Sequence, residues 1–238
     1  MPSDLADNQV HLWLADPDQA SLGELEARCY PLLGGLERDK YRSFHFDKDR
    51  RLYLAAHALT RLVLARYTRL APTGIEFVHG PNGKPRAQLP PPHTAIRHNL
   101  SHTEGLVGCV LARRECGLDI EALRPLPALD AIAAQLCSAG ELAQLAALGG
   151  AARERHFFRL WTLKEAYAKA TGQGIGAGLR QVSFAIDKDE VSCSGAAGHW
   201  WFGCQSLPSG HALALAVDAT PGPVALSLHR LALGASAP

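Results

Sequence analysis

FFRLWTLKEAYAKATG, residues 157–172, has its apolar and aromatic positions (Phe157, Leu160, Trp161, Ala168) three and four apart, the period of a helix lying on a core. No proline interrupts it, and Gly172 with Gly174 behind it supplies a C-terminal stop. On such a helix Trp161, Glu165 and Lys169 stand one turn apart on one face. Taken alone, that stripe reads first as an i,i+4 Glu–Lys pair on a solvated face. The other segments change the weighting.

The 238 residues suffice for one large domain or two small ones around a substantial core. With 47% hydrophobic and 20% charged residues, the composition is that of a soluble globular chain. A formal net charge of +1 gives no overall basic field for nucleic acid. No apolar run approaches the roughly 20 residues of a bilayer span, so neither nucleic acid nor membrane is an expected partner. The first residues lack the basic start and apolar run of a signal peptide. Six cysteines, none in a C-x-x-C pattern, read as buried thiols in a reducing cytoplasm, not as a disulfide frame or zinc site.

Outward from the central helix, residues 10–15 (VHLWLA) alternate as a strand, and 22–36 read as a helix broken at Gly34-Gly35. The most basic segment, 37–69, runs into a long helix from Arg51, with Arg50 and Arg51 near its start. The turn GPNGKPR (80–86) follows, then a strand over 94–100 with NLSHTEG at its end. Residues 106–112 and 116–122 read as two strands of a hairpin. Ser138-x-x-Glu141 is a capping box opening a helix that stops at Gly149-Gly150. Strands are expected over 182–186, 191–193, 199–205, 212–217 and 225–231. Strands and helices mix without the regular alternation of a doubly wound sheet. The expected class is α+β, in two lobes that divide near Glu115, residues 1–115 and 116–238.

Several constellations carry chemistry. In a strand Asp119 and Glu121 point to one side with Ile120 opposite, and two carboxylates that close repel unless a cation or a set of donors lies between them. Hard oxygen donors of this kind suit magnesium, and Glu165 reaching the same spot makes three. The alternative is two exposed acids on an edge strand. His98 and His102 have an H-x-x-x-H spacing, but that spacing aligns ligands on a helix and this segment reads as a strand and turn, so zinc is not expected. Gly83-Lys84-Pro85 is not a P-loop, and no G-x-S-x-G supports a serine hydrolase.

Taken in order, GKP (83–85), NLSHT (99–103), GLDIE (117–121) and FFRLWTLKEAYAK (157–169), with Gly172-x-Gly174 behind it, resemble the motifs of the Sfp-type 4′-phosphopantetheinyl transferases. The resemblance implies two similar α+β lobes related by a pseudo-twofold axis, with coenzyme A bound between them. It implies a Mg²⁺-dependent reaction (Mn²⁺ as a substitute) that moves the phosphopantetheine arm of coenzyme A to a serine hydroxyl of an apo acyl, peptidyl or aryl carrier protein, releasing adenosine 3′,5′-bisphosphate. Asp119, Glu121 and Glu165 are implied metal ligands, with Glu165 also the candidate base. Lys169 is implied at the pyrophosphate, Lys84, Ser101 and His102 at the nucleotide and its phosphates, and Lys40 with Arg50 or Arg51 at the 3′-phosphate. Lys164, about 100° round the helix from Glu165, is a candidate phosphate or carrier contact. Trp161 is read as core packing, and the carrier surface is expected within 122–148. Two fused lobes in one chain make a monomer sufficient.

Two other readings use the same residues. A non-catalytic coenzyme A or nucleotide-binding module predicts binding without product. A metal-dependent phosphohydrolase predicts free phosphopantetheine without an acceptor.

Overall fold

Glycine at 117 matters most to how the site is built, and the elements around it come first. The computed structural model describes residues 5–80, 83–174, 178–188 and 190–234. The N-terminal Met1–Asp4, Pro81 and Asn82 of the 80–86 turn, and the tail after Gly234 lie outside the described residues.

The chain opens with strand β1 (Gln9–Ala15), then helices α1 (Leu22–Cys29), α2 (Gly35–Arg42) and the 22-residue α3 (Asp47–Thr68). Strands β2 (Glu76–His79), β3 (Pro85–Gln88), β4 (Arg97–Thr103) and β5 (Leu106–Ala112) follow. Next come β6 (Cys116–Ala122), α4 (Leu129–Leu136), α5 (Ala139–Ala146) and the 22-residue α6 (Gly150–Thr171). Strands β7 (Ser183–Asp187), β8 (Glu190–Ser194), β9 (Trp200–Leu207), β10 (His211–Asp218) and β11 (Ala225–Arg230) complete the order. Among the described residues no helix is long and apolar enough to cross a membrane.

The chain forms two compact units, residues 1–114 with 225–238, and residues 115–224. In the first, a sheet ordered β11-β1-β5-β4 carries α3 packed on β5, β4 and β1, with the β2–β3 ladder beside it. In the second, α6 packs on the sheet β6-β10-β9, and β7–β8 form a separate ladder. Each unit is therefore a long helix on a sheet with a short two-stranded ladder, and the class is α+β.

Local signals explain the element ends. Ser21 and Ser138 cap α1 and α5, each with the reciprocal glutamate, Glu24 and Glu141. Gly172 ends α6 in the left-handed region at φ 71°, as expected from the sequence. Elsewhere the structure corrects the reading. The 22–36 helix breaks at Tyr30–Leu32, a single 3₁₀ turn holding Pro31, and a new helix starts at Gly35. Helices α3 and α6 begin earlier than expected, at Asp47 and Gly150. The polar run NLSHT belongs to β4 itself, which stays paired with β5 as far as Thr103↔Leu106.

Strands β5 and β6 are not a hairpin. Both edges of β5 are taken, by β1 and β4, and β6 pairs antiparallel with β10. The last strand, assigned from sequence to the C-terminal lobe, instead runs parallel to β1 from Gln9↔Ala225 to Leu14↔Arg230, which puts residues 225–238 in the first unit.

In the second unit β6 lies directly on α6. A Cβ built on Gly117 would stand 2.0 Å from the Ala166 carbonyl oxygen and 2.5 Å from the Ala170 nitrogen, both helix backbone that cannot turn aside. Gly117→Ala is therefore expected to lower the stability of the chain by about 3 kcal/mol or more, or to prevent folding. Urea denaturation of the variant beside the parent chain measures it, and an unchanged midpoint would mean that the two elements can separate freely.

Candidate functional site

From Gly117 the period of two along β6 carries Asp119 and Glu121 to one side, while the period of α6 carries Trp161, Glu165 and Lys169 along one face. Because strand and helix touch at Gly117, these side chains meet. The Lys169 ammonium donates to Asp119 Oδ1 at 2.7 Å. Asp119 and Glu165 are buried, at 4% and 7% exposure, and Glu121 is half-buried.

Burial and the neighbouring Asp119 push the Glu165 carboxyl up to about 7, against the pull of Lys169 and with a further push from Glu121. Glu121 is raised as well, by burial and by Asp119, while Arg124, Lys169 and a hydrogen bond from the Trp161 indole oppose the rise. Three acids thus crowd one ammonium. Among the described residues no three ligand-type side chains are drawn into the geometry that encloses a metal ion. The donor set nonetheless fits a hard divalent cation: three carboxylates, two of them raised by burial and by Asp119, gain from a positive charge among them.

The remaining candidates lie in the first unit. Lys40, near the end of α2, is exposed, with its ammonium 5.1 Å from the centre of the Phe44 ring. It lines a cavity of ≈ 200 Å³ with Glu37, Tyr53, His57, Phe77, Pro85 and His98. Arg50, in the first turn of α3, donates to the Phe44 carbonyl at 3.1 Å and faces Asp47 at 3.4 Å. Arg51 is directed elsewhere, to the carbonyls of Pro17 and Ala20 and to Asp18 at 3.6 Å. Lys84 is half-buried just ahead of β3, Ser101 is buried in β4, and His102 in the same strand is exposed.

Lys164 is not available to a ligand or partner. It is 2% exposed, 2.9 Å from Glu141 Oε2, and donates to the carbonyls of Leu179 at 2.8 Å and Val182 at 2.6 Å. The turn of 100° from Glu165 that suggested a free contact points it into the packing against α5 and the segment before β7. Trp161 packs as expected, 5.8 Å from the Phe157 ring centre, with its indole near enough to Glu121 to favour that carboxylate. His98, weighed from sequence as half of a zinc pair with His102, is instead buried in β4 at 3% exposure, its Nε2 without a hydrogen-bond partner among the described residues and its pKa lowered to about 4 by burial and by Lys84, Arg86 and His57. The group the sequence reading missed is Glu37, whose place three residues after a helix-capping glycine was the one available signal.

Comparison with known proteins identifies the family. The family model of the 4′-phosphopantetheinyl transferase superfamily matches residues 115–216, and that of the 4′-phosphopantetheinyl transferase N-terminal region matches residues 26–114. Together they cover well over half of the chain, which belongs to this superfamily. The chain is an enzyme of the 4′-phosphopantetheinyl transferase class, of the Sfp-like type. It is 32% identical over 190 residues to the 4′-phosphopantetheinyl transferase HetI of Nostoc sp., covering 78% of each chain. It is 30% identical over 154 residues to the 4′-phosphopantetheinyl transferase Sfp of Bacillus subtilis, covering 64% of this chain and 66% of that one. A holo-(acyl-carrier-protein) synthase from Bacillus anthracis, solved in complex with CoA (3′,5′-ADP), is similar over 43% of this chain and 93% of its own, at 23% identity and a TM-score of 0.40.

The raised Glu165 acid has a stability consequence. Its carboxyl holds a proton up to about 7 in the folded chain against an ordinary value of 4.5, so between those pH values the folded state binds more protons than the unfolded one. The contribution is complete below 4.5 and is lost as pH rises through 7, a change of about 3 kcal/mol. Urea denaturation in a chelator from pH 4 to 8 should show this loss, and Glu165→Gln should flatten it. An equal slope in the variant would assign the loss to other groups.

Proposed function

We propose that the chain catalyses transfer of the 4′-phosphopantetheine arm of coenzyme A to a serine hydroxyl of an apo carrier protein, releasing adenosine 3′,5′-bisphosphate. The observation that carries this reading is the grouping of Asp119, Glu121 and Glu165 with Lys169, where burial and the neighbouring carboxylates raise Glu165 and Lys169 donates to Asp119.

Asp119, Glu121 and Glu165 would hold a magnesium ion. When bound, the ion neutralises charge on the pyrophosphate and on the leaving phosphate. The chain's own groups do the rest. Lys169 places a second positive charge where negative charge spreads in the transition state, and keeps Asp119 oriented. Glu165 accepts the serine proton, directly or through a water, as the hydroxyl oxygen bonds to the phosphorus of the phosphopantetheine arm. The bond from that phosphorus to the bridging oxygen then breaks, and the electron pair leaves with adenosine 3′,5′-bisphosphate. A positioned base of this kind contributes roughly a hundredfold or more. The close approach of β6 and α6 at Gly117 holds the acids in place.

In the first unit, Lys40, Lys84, Ser101 and His102 bind the nucleotide and its phosphates. Arg50 or Arg51 joins Lys40 at the 3′-phosphate; Arg50 is engaged by the Phe44 carbonyl and Asp47, Arg51 by the carbonyls of Pro17 and Ala20. The acceptor is an acyl, peptidyl or aryl carrier protein, and the enzyme works as a monomer in the cytoplasm.

Incubating the chain with coenzyme A, Mg²⁺ and several apo carrier proteins, followed by mass spectrometry, tests the reading. The carrier is expected to gain one phosphopantetheine mass on a single serine, with loading lost in chelator. Asp119→Ala and Glu165→Ala should each reduce loading by at least about a hundredfold while leaving the fold intact. Full loading by either variant would remove the basis of the assignment. Binding of coenzyme A with no product on any carrier would favour a non-catalytic module.

A further inference from the structure

Helix α2 has almost nothing apolar to hold it in place. Of its eight residues only Tyr41 is buried, and its one aliphatic side chain, Leu36, is 79% exposed. Eight residues are too few for a helix to persist on propensity alone. Its attachments are mostly polar. Arg38 donates to the Pro31 carbonyl at 3.0 Å, Arg42 to the Tyr30 hydroxyl at 3.1 Å, and the Tyr41 hydroxyl to Glu26 Oε1 at 2.5 Å, all toward α1 and the turn after it. Toward α3 the attachment is Glu37.

Both oxygens of Glu37 are engaged. Oε2 takes the Gly34 N–H at 2.7 Å, closing the helix N-terminus, and the Arg61 guanidinium at 2.7 Å. Oε1 lies 2.9 Å from His57 Nδ1, and the His57 ring stacks on Tyr53 with centroids 4.0 Å apart. Arg61 is 3% exposed and donates to the carbonyls of Pro72 at 2.7 Å and Ile75 at 3.0 Å, so the same guanidinium anchors the segment leading into β2. The approach is close because residue 34 is glycine: a Cβ there would stand 2.9 Å from Arg61 Nη2.

Lys40 sits one turn after Glu37 and makes no ion pair among the described residues. Glu37 and Lys40 line the same cavity. A bare carboxylate at that wall would repel a phosphate, but Arg61 lies against it.

We infer that Glu37 is a positioning residue: through His57 and Arg61 it fixes α2 on α3, and so sets Lys40 where it meets the 3′-phosphate of coenzyme A. The inference rests on the reading of Lys40 given above. It makes a prediction opposite in sign to charge alone. If Glu37 acted only as a negative charge near the cavity, removing that charge would tighten phosphate binding. As a positioning residue, its removal loosens it.

Titration calorimetry of the full chain with coenzyme A and with 3′-dephospho-coenzyme A separates the cases. Glu37→Gln, which keeps the side-chain volume, should weaken binding of coenzyme A about tenfold and leave the dephospho ligand within about twofold, the scale of one charge-assisted contact. Glu37→Ala should show the same selectivity. Adding Glu37→Gln to Lys40→Ala should change little further, because the two act through one contact. Tighter binding in Glu37→Gln, equal weakening of both ligands, or full additivity with Lys40→Ala would each overturn the inference. Lys40→Ala alone tests the underlying reading: equal weakening of both ligands by that variant would refute Lys40 as the 3′-phosphate contact, whatever Glu37 does.

Discussion

Nothing larger than hydrogen separates β6 from α6 at Gly117, and the chemistry of the second unit follows from that approach. A helix held a side chain's depth away would leave Glu165 and Lys169 apart from Asp119 and Glu121. With backbone against backbone, two periodicities intersect: two residues along the strand, four along the helix. The acids and the ammonium come from segments far apart in the chain, yet they share one small volume.

That volume is electrostatically unbalanced. Three carboxylates share the neighbourhood of one ammonium, and burial raises the penalty for ionising Glu121 and Glu165. Part of the charge is relieved by Lys169 on Asp119, and part by a proton on Glu165. Such an imbalance makes a cation welcome and leaves an acid able to exchange its proton near neutral pH. Glu37 in the first unit and Glu141 in the second show the opposite design. Each is a buried or half-buried carboxylate whose oxygens are taken up by a cation and by backbone N–H groups, and each fastens helices together. The difference between a fastening acid and a reactive one lies in how completely it is paired.

Much of the second unit was legible in the sequence. The period of α6, its glycine stop, the strand carrying Asp119 and Glu121, and the Ser138 capping box are all local patterns, and local patterns survive folding. What failed depended on partners far along the chain. Residues 106–112 and 116–122 look like a hairpin because a turn joins them, but edges claimed by β1, β4 and β10 decide the pairing. The return of β11 to β1 left no local mark. Lys164 looked free because nothing in its own helix reveals Glu141, Leu179 and Val182 waiting on the other side.

The central claim is that Glu165 gives up a proton when a divalent ion enters the crowded acids. Titration calorimetry of Mg²⁺ into the chain, in buffers of different ionisation enthalpy, counts that proton. With Glu165 near 7, the account predicts close to one proton released per ion at pH 6 and almost none above pH 8.5. Binding at pH 6 with no proton released would contradict it.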